Sequence, residues 1–323
     1  MVLVVAAVVL AVRGAQDKGS AQPKSTTARG TVERRSFPKG YRTLVYTPAS
    51  LNRSRPAPLI VMLHGCGTTA EQMEGATELD EHAERDGFVV LYPDAADRPG
   101  RCWHSATDTT RSSGDAAAIA RMVRHALARR APAIDPARVY VSGMSSGASM
   151  TAVLGVTHPD LFAAIAIDAG CAYRASRCGG QTPAGQSSKL ARAAVATMGA
   201  HARVVPVLVM EGDRDDVVPG HSKQVLDQWR MTDNLVASGT TATPMAAAPT
   251  RTREMVRRGR YRSTVEQYDA GPGRLVLERW TIHRMGHFWP GGTKDPDYAR
   301  FTDVRGPDGG DVIWSFLRRF RLT

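Results

Sequence analysis

Apolar residues fall along the chain in short runs separated by helical patterns. Residues 58–63 (PLIVML) and 88–92 (FVVLY) are nearly all apolar, as strands covered on both faces must be. An earlier run, 41–48, also reads as a strand and joins 58–63 through the turn-rich stretch 52–57. Thr69 is placed to cap a polar helix reaching about residue 85, with Glu71 and Glu74 in its early turns, where carboxylates favour a helix start. Pro93-Asp94 is expected to stop the strand 88–92, and 95–113 reads as irregular. From Asp115 onward, Ile119, Met122, Val123, Ala126 and Leu127 recur at helical spacing until Asp135-Pro136 breaks the pattern.

The alternation then repeats. Residues 138–142, 162–167 and 204–210 read as strands; 148–156, 188–198 and 222–229 read as helices. Strands that alternate with helices need crossover connections, so the pattern predicts an α/β fold with a mainly parallel central sheet and helices on both faces. The low-complexity stretch 237–250 reads as a surface excursion. Two further strands, 263–269 and 274–282, flank Gly271-Pro272-Gly273 like a hairpin. Residues 311–320 close the chain as an amphipathic helix with Ile313, Trp314, Leu317 and Phe320 on its apolar side.

Candidate chemistry sits where this pattern changes. Gly143-Met144-Ser145-Ser146-Gly147 is a GxSxG sequence between a strand and a small-residue helix, the setting of a nucleophile elbow. The turn there is so tight that flanking side chains must be tiny, and the serine Oγ is pushed out at the sheet edge. Ser142, Ser146 and Ser149 lie nearby, but Ser145 holds the centre of the turn. A serine hydroxyl needs a base oriented by a carboxylate, and the α/β-hydrolase order is Ser, then Asp or Glu, then His, each after a strand. The loop 212–219 (GDRDDVVP) and His287 satisfy that order. Asp213, Asp215 and Asp216 all lie in the loop, and spacing alone does not choose among them. His287 follows the last strand, whereas His64, His82, His125, His158 and His283 lie beside other elements. Two backbone donors are needed for the oxyanion: Ser146 N–H, and Cys66 N–H from the His64-Gly65-Cys66-Gly67 loop after PLIVML.

Length, charge and cysteines refine the picture. At 323 residues with 42% hydrophobic content, the chain suits a single domain over 31–323. Residues 2–12 (VLVVAAVVLAV) are too short an apolar run to span a bilayer comfortably and suit a signal segment. A signal peptide is therefore expected over 1–14, a polar mobile arm over 15–30, and no stable membrane insertion once the signal is removed. Export fits the four cysteines, for which three pairings exist. The sequence-local choice joins Cys171 to Cys178 and leaves Cys66 with Cys102. The net charge of +11 comes without a basic stripe interleaved with aromatics, so a solvated basic surface is expected rather than a nucleic-acid site, although such a surface also favours acidic polymers or cell surfaces. No cysteine and histidine cluster has zinc spacing, and no metal or cofactor is expected.

Taken in order, LHGCG, Cys102-Trp103, RVYVSGMSSGASM, GDRDDVVP and GHFWPGG resemble the polyhydroxybutyrate depolymerase and feruloyl esterase family of secreted α/β-hydrolases, from about Arg42 to Phe320. The resemblance implies Ser145 as nucleophile, Asp215 as the aspartate of a GxxDxxV pattern and His287 as the histidine of GHxWPGG. It implies a secreted (extracellular or periplasmic) serine esterase acting on small or oligomeric feruloyl, acetyl or 3-hydroxybutyrate esters of plant cell-wall or polyester origin. The chain departs from the family at Cys102-Trp103-His104-Ser105-Ala106, where CWNWF is usual, and at Met144 and Ser146 of the elbow, where GLSAGG is usual. No second binding domain or threonine-rich linker follows, so soluble esters or oligomers are expected over solid polymer. Trp103 and Trp289 are candidate walls for the substrate, with burial in the core as the alternative. The competing readings are a serine peptidase of the same fold and a non-catalytic binding protein on a hydrolase scaffold.

Overall fold

In the computed structural model, which describes residues 30–95, 98–175, 178, 185–238 and 244–323, one ten-stranded sheet runs through the molecule. The expected signal peptide and, Gly30 apart, the polar arm lie outside the described residues. The strands are β1 (Thr31–Ser36), β2 (Arg42–Thr47), β3 (Ala57–Leu63), β4 (Val89–Asp94), β5 (Ile134–Met144), β6 (Ala164–Asp168), β7 (Val207–Gly212), β8 (Arg251–Met255), β9 (Ser263–Asp269) and β10 (Leu275–Ile282). Their order across the sheet is β1-β2-β4-β3-β5-β6-β7-β10-β9-β8. From β4 to β10 every neighbouring pair is parallel, and β1, β2, β8 and β9 add antiparallel margins. The helices are α1 (Ala70–Thr77), α2 (Leu79–Asp86), α3 (Gly114–Leu127), α4 (Ser146–Thr157), α5 (Gln186–Met198), α6 (His221–Ala237) and α7 (Gly309–Leu317).

The runs PLIVML, FVVLY and VLVM lack polar gaps because both faces of these strands are covered. Leu59, Val61 and Leu63 pack with Val141, Ile165 and Val209 on one face, towards α3–α6. Ile60 and Met62 pack with Tyr140, Ala166 and Met210 on the other, towards α1, α2 and α7. Successive side chains alternate between two cores, as strand geometry requires.

Several boundaries differ from the sequence pattern for identifiable reasons. The helix expected from Thr69 to residue 85 is two helices. Thr69 does form a capping box with Gln72. Glu78, however, sits in the left-handed region at φ 53°, where Thr77 Oγ1 donates to Met73 O and accepts from Leu79 N–H, closing one helix as the next begins. Pro93-Asp94 does not stop β4; both residues remain in register with Thr43 and Arg42 of β2. Asp135-Pro136 lies inside β5, because pairing with β3 jumps from Ala57↔Ile134 to Leu59↔Val139 and the proline falls in that bulge. Strands β1 and β8 escape a hydrophobic reading because their residues are exposed or half-buried, so no apolar alternation marks them. Of the 237–250 excursion, residues 239–243 lie outside the described residues, but Met245 is buried and exchanges two hydrogen bonds with Asn234.

One carboxylate gathers three donors around the irregular stretch 98–113. Asp115, fully buried in the first turn of α3, accepts from Tyr41 OH, from Arg98 Nη2 at 2.7 Å and from His104 N–H at 2.7 Å. Replacing it with alanine would leave the Arg98 guanidinium and two other donors without their acceptor. Asp115→Ala is therefore expected to cost about 3 kcal/mol of stability in urea unfolding. A loss below about 1 kcal/mol would show that this junction is not held by the carboxylate.

Candidate active site

The elbow is built by crowding. Gly143 lies at the end of β5 and Gly147 in the first turn of α4. A Cβ on Gly143 would meet Gly147 C at 2.5 Å, and one on Gly147 would meet Leu63 O at 2.3 Å, both backbone atoms that cannot swing aside. Ser145 between them adopts φ 57°, ψ −119°, a conformation a residue with a side chain holds only when its surroundings impose it. Its N–H donates to Asp168 O at the end of β6, 2.9 Å away. None of the neighbouring serines lines the cleft that holds Ser145. Ser142 is buried; Ser149 Oγ donates to Ser145 O at 3.2 Å and accepts from Cys171 N–H at 2.9 Å; Ser146 Oγ accepts Trp103 N–H at 2.8 Å.

The HGCG loop after β3 lies directly over the elbow. A Cβ on Gly65 would sit 3.4 Å from Ser145 Cβ. His64 is fully buried; its Nε2 accepts from Ala95 N–H at 3.1 Å, so its Nδ1 is the donor to Gly65 O at 2.7 Å. Burial pushes the pKa of this imidazole down and keeps it neutral. Thr68 Oγ1 adds a second bond to Gly65 O at 2.8 Å. The disulfide Cys66–Cys102 ties the loop to the stretch carrying Trp103, and Cys171–Cys178 closes the second bridge, which is the pairing expected from the sequence. Ser146 is the first residue of α4, so its N–H has no partner within the helix. Cys66 and Ser145 line the same cleft.

Trp103 and Trp289 do not wall that cleft. Trp103 is 3% exposed and Trp289 0%. Trp103 packs its ring on His64, with centroids 5.0 Å apart, and donates Nε1–H to His64 O at 3.0 Å; it braces the HGCG loop from behind. Trp289 fills a space that would bring a Cβ on Gly309 within 2.9 Å of its ring. The walls the sequence did not single out are Met73 and Ala76 of α1, Met144, Arg300 and Phe301, around a cleft of about 120 Å³ that also holds Ser145 and His287. Nothing in the local sequence marks Arg300 and Phe301, which reach the site from a segment without periodic pattern.

Three aspartates compete for one histidine, and geometry separates them. Asp215, with its side chain fully buried, receives His287 Nδ1 on Oδ2 at 2.7 Å. Its Oδ1 accepts the N–H groups of Val217 and Val218 at 2.9 and 2.8 Å. Burial pushes its pKa up, but His287 and these two N–H donors more than offset that, and the carboxyl sits below its ordinary value. An ionised carboxylate only accepts, so His287 Nδ1 carries the hydrogen and Nε2 keeps its lone pair. Asp213 is taken by a second pair, accepting Arg284 N–H at 2.6 Å and facing His283 Nδ1 at 2.9 Å. Asp216 is exposed. The two loops approach so closely that a Cβ on Gly212 would lie 2.2 Å from Met285 O.

Behind Asp215 lie groups the motifs did not predict. Asp168, 0% exposed, has neither carboxyl oxygen hydrogen-bonded among the described residues. Burial, with the charge of Asp215 adding to it, holds Asp168 well above the usual carboxylate range. The same burial favours the protonated form of Asp168, whereas the hydrogen bonds around Asp215 favour its ionised form. His221 donates to Val218 O, closing the turn that presents Asp215, and Glu211 accepts from Ser222 beside it. Two groupings elsewhere gather metal-ligand types, His82 with Asp308 and Asp311, and His104 with Asp108 and Asp115. In the first, the side chains pair with one another and with Arg85; in the second, Asp115 is taken by Arg98 and Tyr41, and Asp108 accepts Asp115 N–H.

The strand order, the strained elbow between β5 and α4, and the acid and histidine loops after β7 and β10 define an α/β-hydrolase fold. A solved acetyl xylan esterase from Aspergillus awamori superposes with a TM-score of 0.63 over 80% of this chain and 94% of its own, at 21% identity. The sequence profile described as Esterase PHB depolymerase matches residues 41–257, and the chain belongs to that family. Ser145 and Asp215 fall inside the matched region; His287 lies beyond it. Among curated proteins, an acetylxylan esterase of Coprinopsis cinerea is 41% identical over 145 residues, 43% of this chain and 38% of that protein. A feruloyl esterase B of Neurospora crassa is 38% identical over 141 residues, 43% of this chain and 47% of that protein. The chain spans less than half the length of these relatives.

Proposed function

We propose that the protein is an exported serine carboxylesterase. The observation that carries the proposal is the Asp215–His287 hydrogen bond at 2.7 Å, set in the cleft that also holds Ser145 on its strained turn. In this reading His287 Nε2 takes the Ser145 hydroxyl proton as Oγ attacks the ester carbonyl carbon. The resulting oxyanion lies against the N–H groups of Cys66 and Ser146, a pair of donors worth a few kcal/mol each. His287 then returns the proton to the departing alkoxide, leaving an acyl group on Ser145. Water, deprotonated by His287, attacks that acyl-enzyme and releases the acid. Asp215 holds the imidazole tautomer and stabilises its positive form throughout.

Ester rather than amide chemistry is supported by the family and by relatives named as acetylxylan and feruloyl esterases. The substrate class is that of acetyl, feruloyl or 3-hydroxybutyrate esters. Export is supported by two disulfides, which persist in oxidising compartments, and by the apolar run at residues 2–12. The expected result is hydrolysis of p-nitrophenyl acetate without release from peptide p-nitroanilides, and covalent labelling of Ser145 by a fluorophosphonate. Anilide turnover equal to ester turnover would favour a peptidase, and failure to label Ser145 would remove the nucleophile.

A further inference from the structure

The arginines are not evenly spread along the chain. Six lie between residues 251 and 262, along edge strand β8 and the turn that follows it. Together with α7 and β10 they form a groove of about 180 Å³, in which Arg253, Arg257, Arg260 and Arg319 surround Met255 and Trp280. Three acidic groups also line the groove, and each has a partner. Glu278 is buried and accepts from Gln267 Nε2 and Trp280 Nε1 at 2.6 and 2.7 Å. Asp308 and Asp311 face His82 and Arg85. The guanidinium groups of Arg253, Arg257 and Arg319 are exposed and have no hydrogen-bonding or ion-pair partner among the described residues. An anionic ligand would relieve the repulsion among these unpaired guanidinium groups.

The groove is joined to the cleft by one segment. Arg300 and Phe301 wall the cleft. The next residues, with Phe288 and Lys294, line a shallow surface that includes Arg305. Arg305 lies over the Tyr261 ring at 4.7 Å and its carbonyl accepts Tyr261 N–H, while Arg260 Nη1 donates to Val304 O and Gly306 O. From Phe301 at the cleft to Pro307 in the groove the chain can extend at most about 22 Å. Along that path lie Arg300, Lys294, Arg305, which pairs with Asp303 at 3.4 Å, and the groove arginines.

From the unpaired arginines of the groove and the segment joining it to the cleft we infer that the groove is a binding site for an acidic polysaccharide, one bearing carboxylates along its chain, whose ester is presented to Ser145 in the cleft. The inference rests on the esterase reading for the second half only; the groove's affinity for carboxylates stands independently. Several unpaired arginines in one groove favour a polyanion over a neutral glycan or a polyester fragment, which carries at most one terminal carboxylate.

The test uses the full chain with Ser145→Ala, so that binding is read without turnover. Calorimetry with a galacturonate hexamer should give measurable affinity that falls as salt rises, and no comparable binding of cellohexaose. Arg253→Glu with Arg257→Glu should weaken hexamer binding by about tenfold or more. In the wild-type background the same pair should leave p-nitrophenyl acetate hydrolysis unchanged. Equal binding of cellohexaose, no binding of the hexamer, indifference to the charge reversals, or tighter binding of a single-stranded oligonucleotide at the same salt would each overturn the site. Hexamer binding by a wild-type protein inactive on p-nitrophenyl acetate would instead leave the groove standing and remove the esterase reading.

Discussion

Ser145→Ala is expected to lower kcat for p-nitrophenyl acetate by a factor on the order of 10⁵, leaving a residual rate from the oxyanion donors and binding alone. The fold should survive. Ser145 Oγ points into the cleft beside Gly65 and His287, and alanine keeps the Cβ already accommodated at φ 57°. The change should therefore leave thermal unfolding within a few degrees of wild type, so that lost activity reads as lost chemistry. The neighbouring Ser146→Ala has a different expectation. It deletes the acceptor for Trp103 N–H, loosening the HGCG loop while leaving the Ser146 backbone donor in place. Retention of full turnover by Ser145→Ala would sink the proposed mechanism.

Asp215→Asn is expected to lower kcat by about 10⁴, because it forces the wrong histidine tautomer. The direction follows from the hydrogen bonds around the carboxylate. Val217 and Val218 N–H both donate to Oδ1, so the amide oxygen of asparagine must face them and its NH₂ must face His287. Nδ1 then becomes an acceptor, Nε2 carries the hydrogen, and the imidazole has no lone pair to receive the serine proton. The comparison that makes the result specific is Asp213→Asn. That residue pairs with His283 and Arg284 N–H, neither of which lines the cleft, and its loss should cost less than about tenfold, the scale of a positioning defect. If the two variants lost activity equally, Asp215 would not be the orienting acid.

The legible and illegible parts of this chain divide along a physical line. The central strands could be read because burial on both faces removes polar residues from them altogether, a signal contained within six or seven positions. The elbow was visible because its crowding excludes every residue but glycine at 143 and 147, and the order of serine, aspartate loop and histidine follows from which strands precede them. The break at Glu78 and the bulge at Asp135-Pro136 were not visible, since each depends on a hydrogen bond or register made by another segment. The edge strands β1 and β8 were missed because an exposed strand has no reason to alternate.

The sequence by itself determined the alternating α/β framework and the position of the strained serine, and it favoured the short Cys171–Cys178 loop, because local periodicity, steric exclusion and short loop closure act between near neighbours. Only the tertiary structure decided that Asp215 rather than Asp213 meets His287, that Asp168 lies buried behind it, and that Trp103 and Trp289 are buried instead of lining the cleft. It also decided that arginines from β8 and the end of α7 share one groove. The reason is common to all four: hydrogen bonding, desolvation and charge repulsion depend on distance through space, and loops carry no periodicity from which that distance can be read.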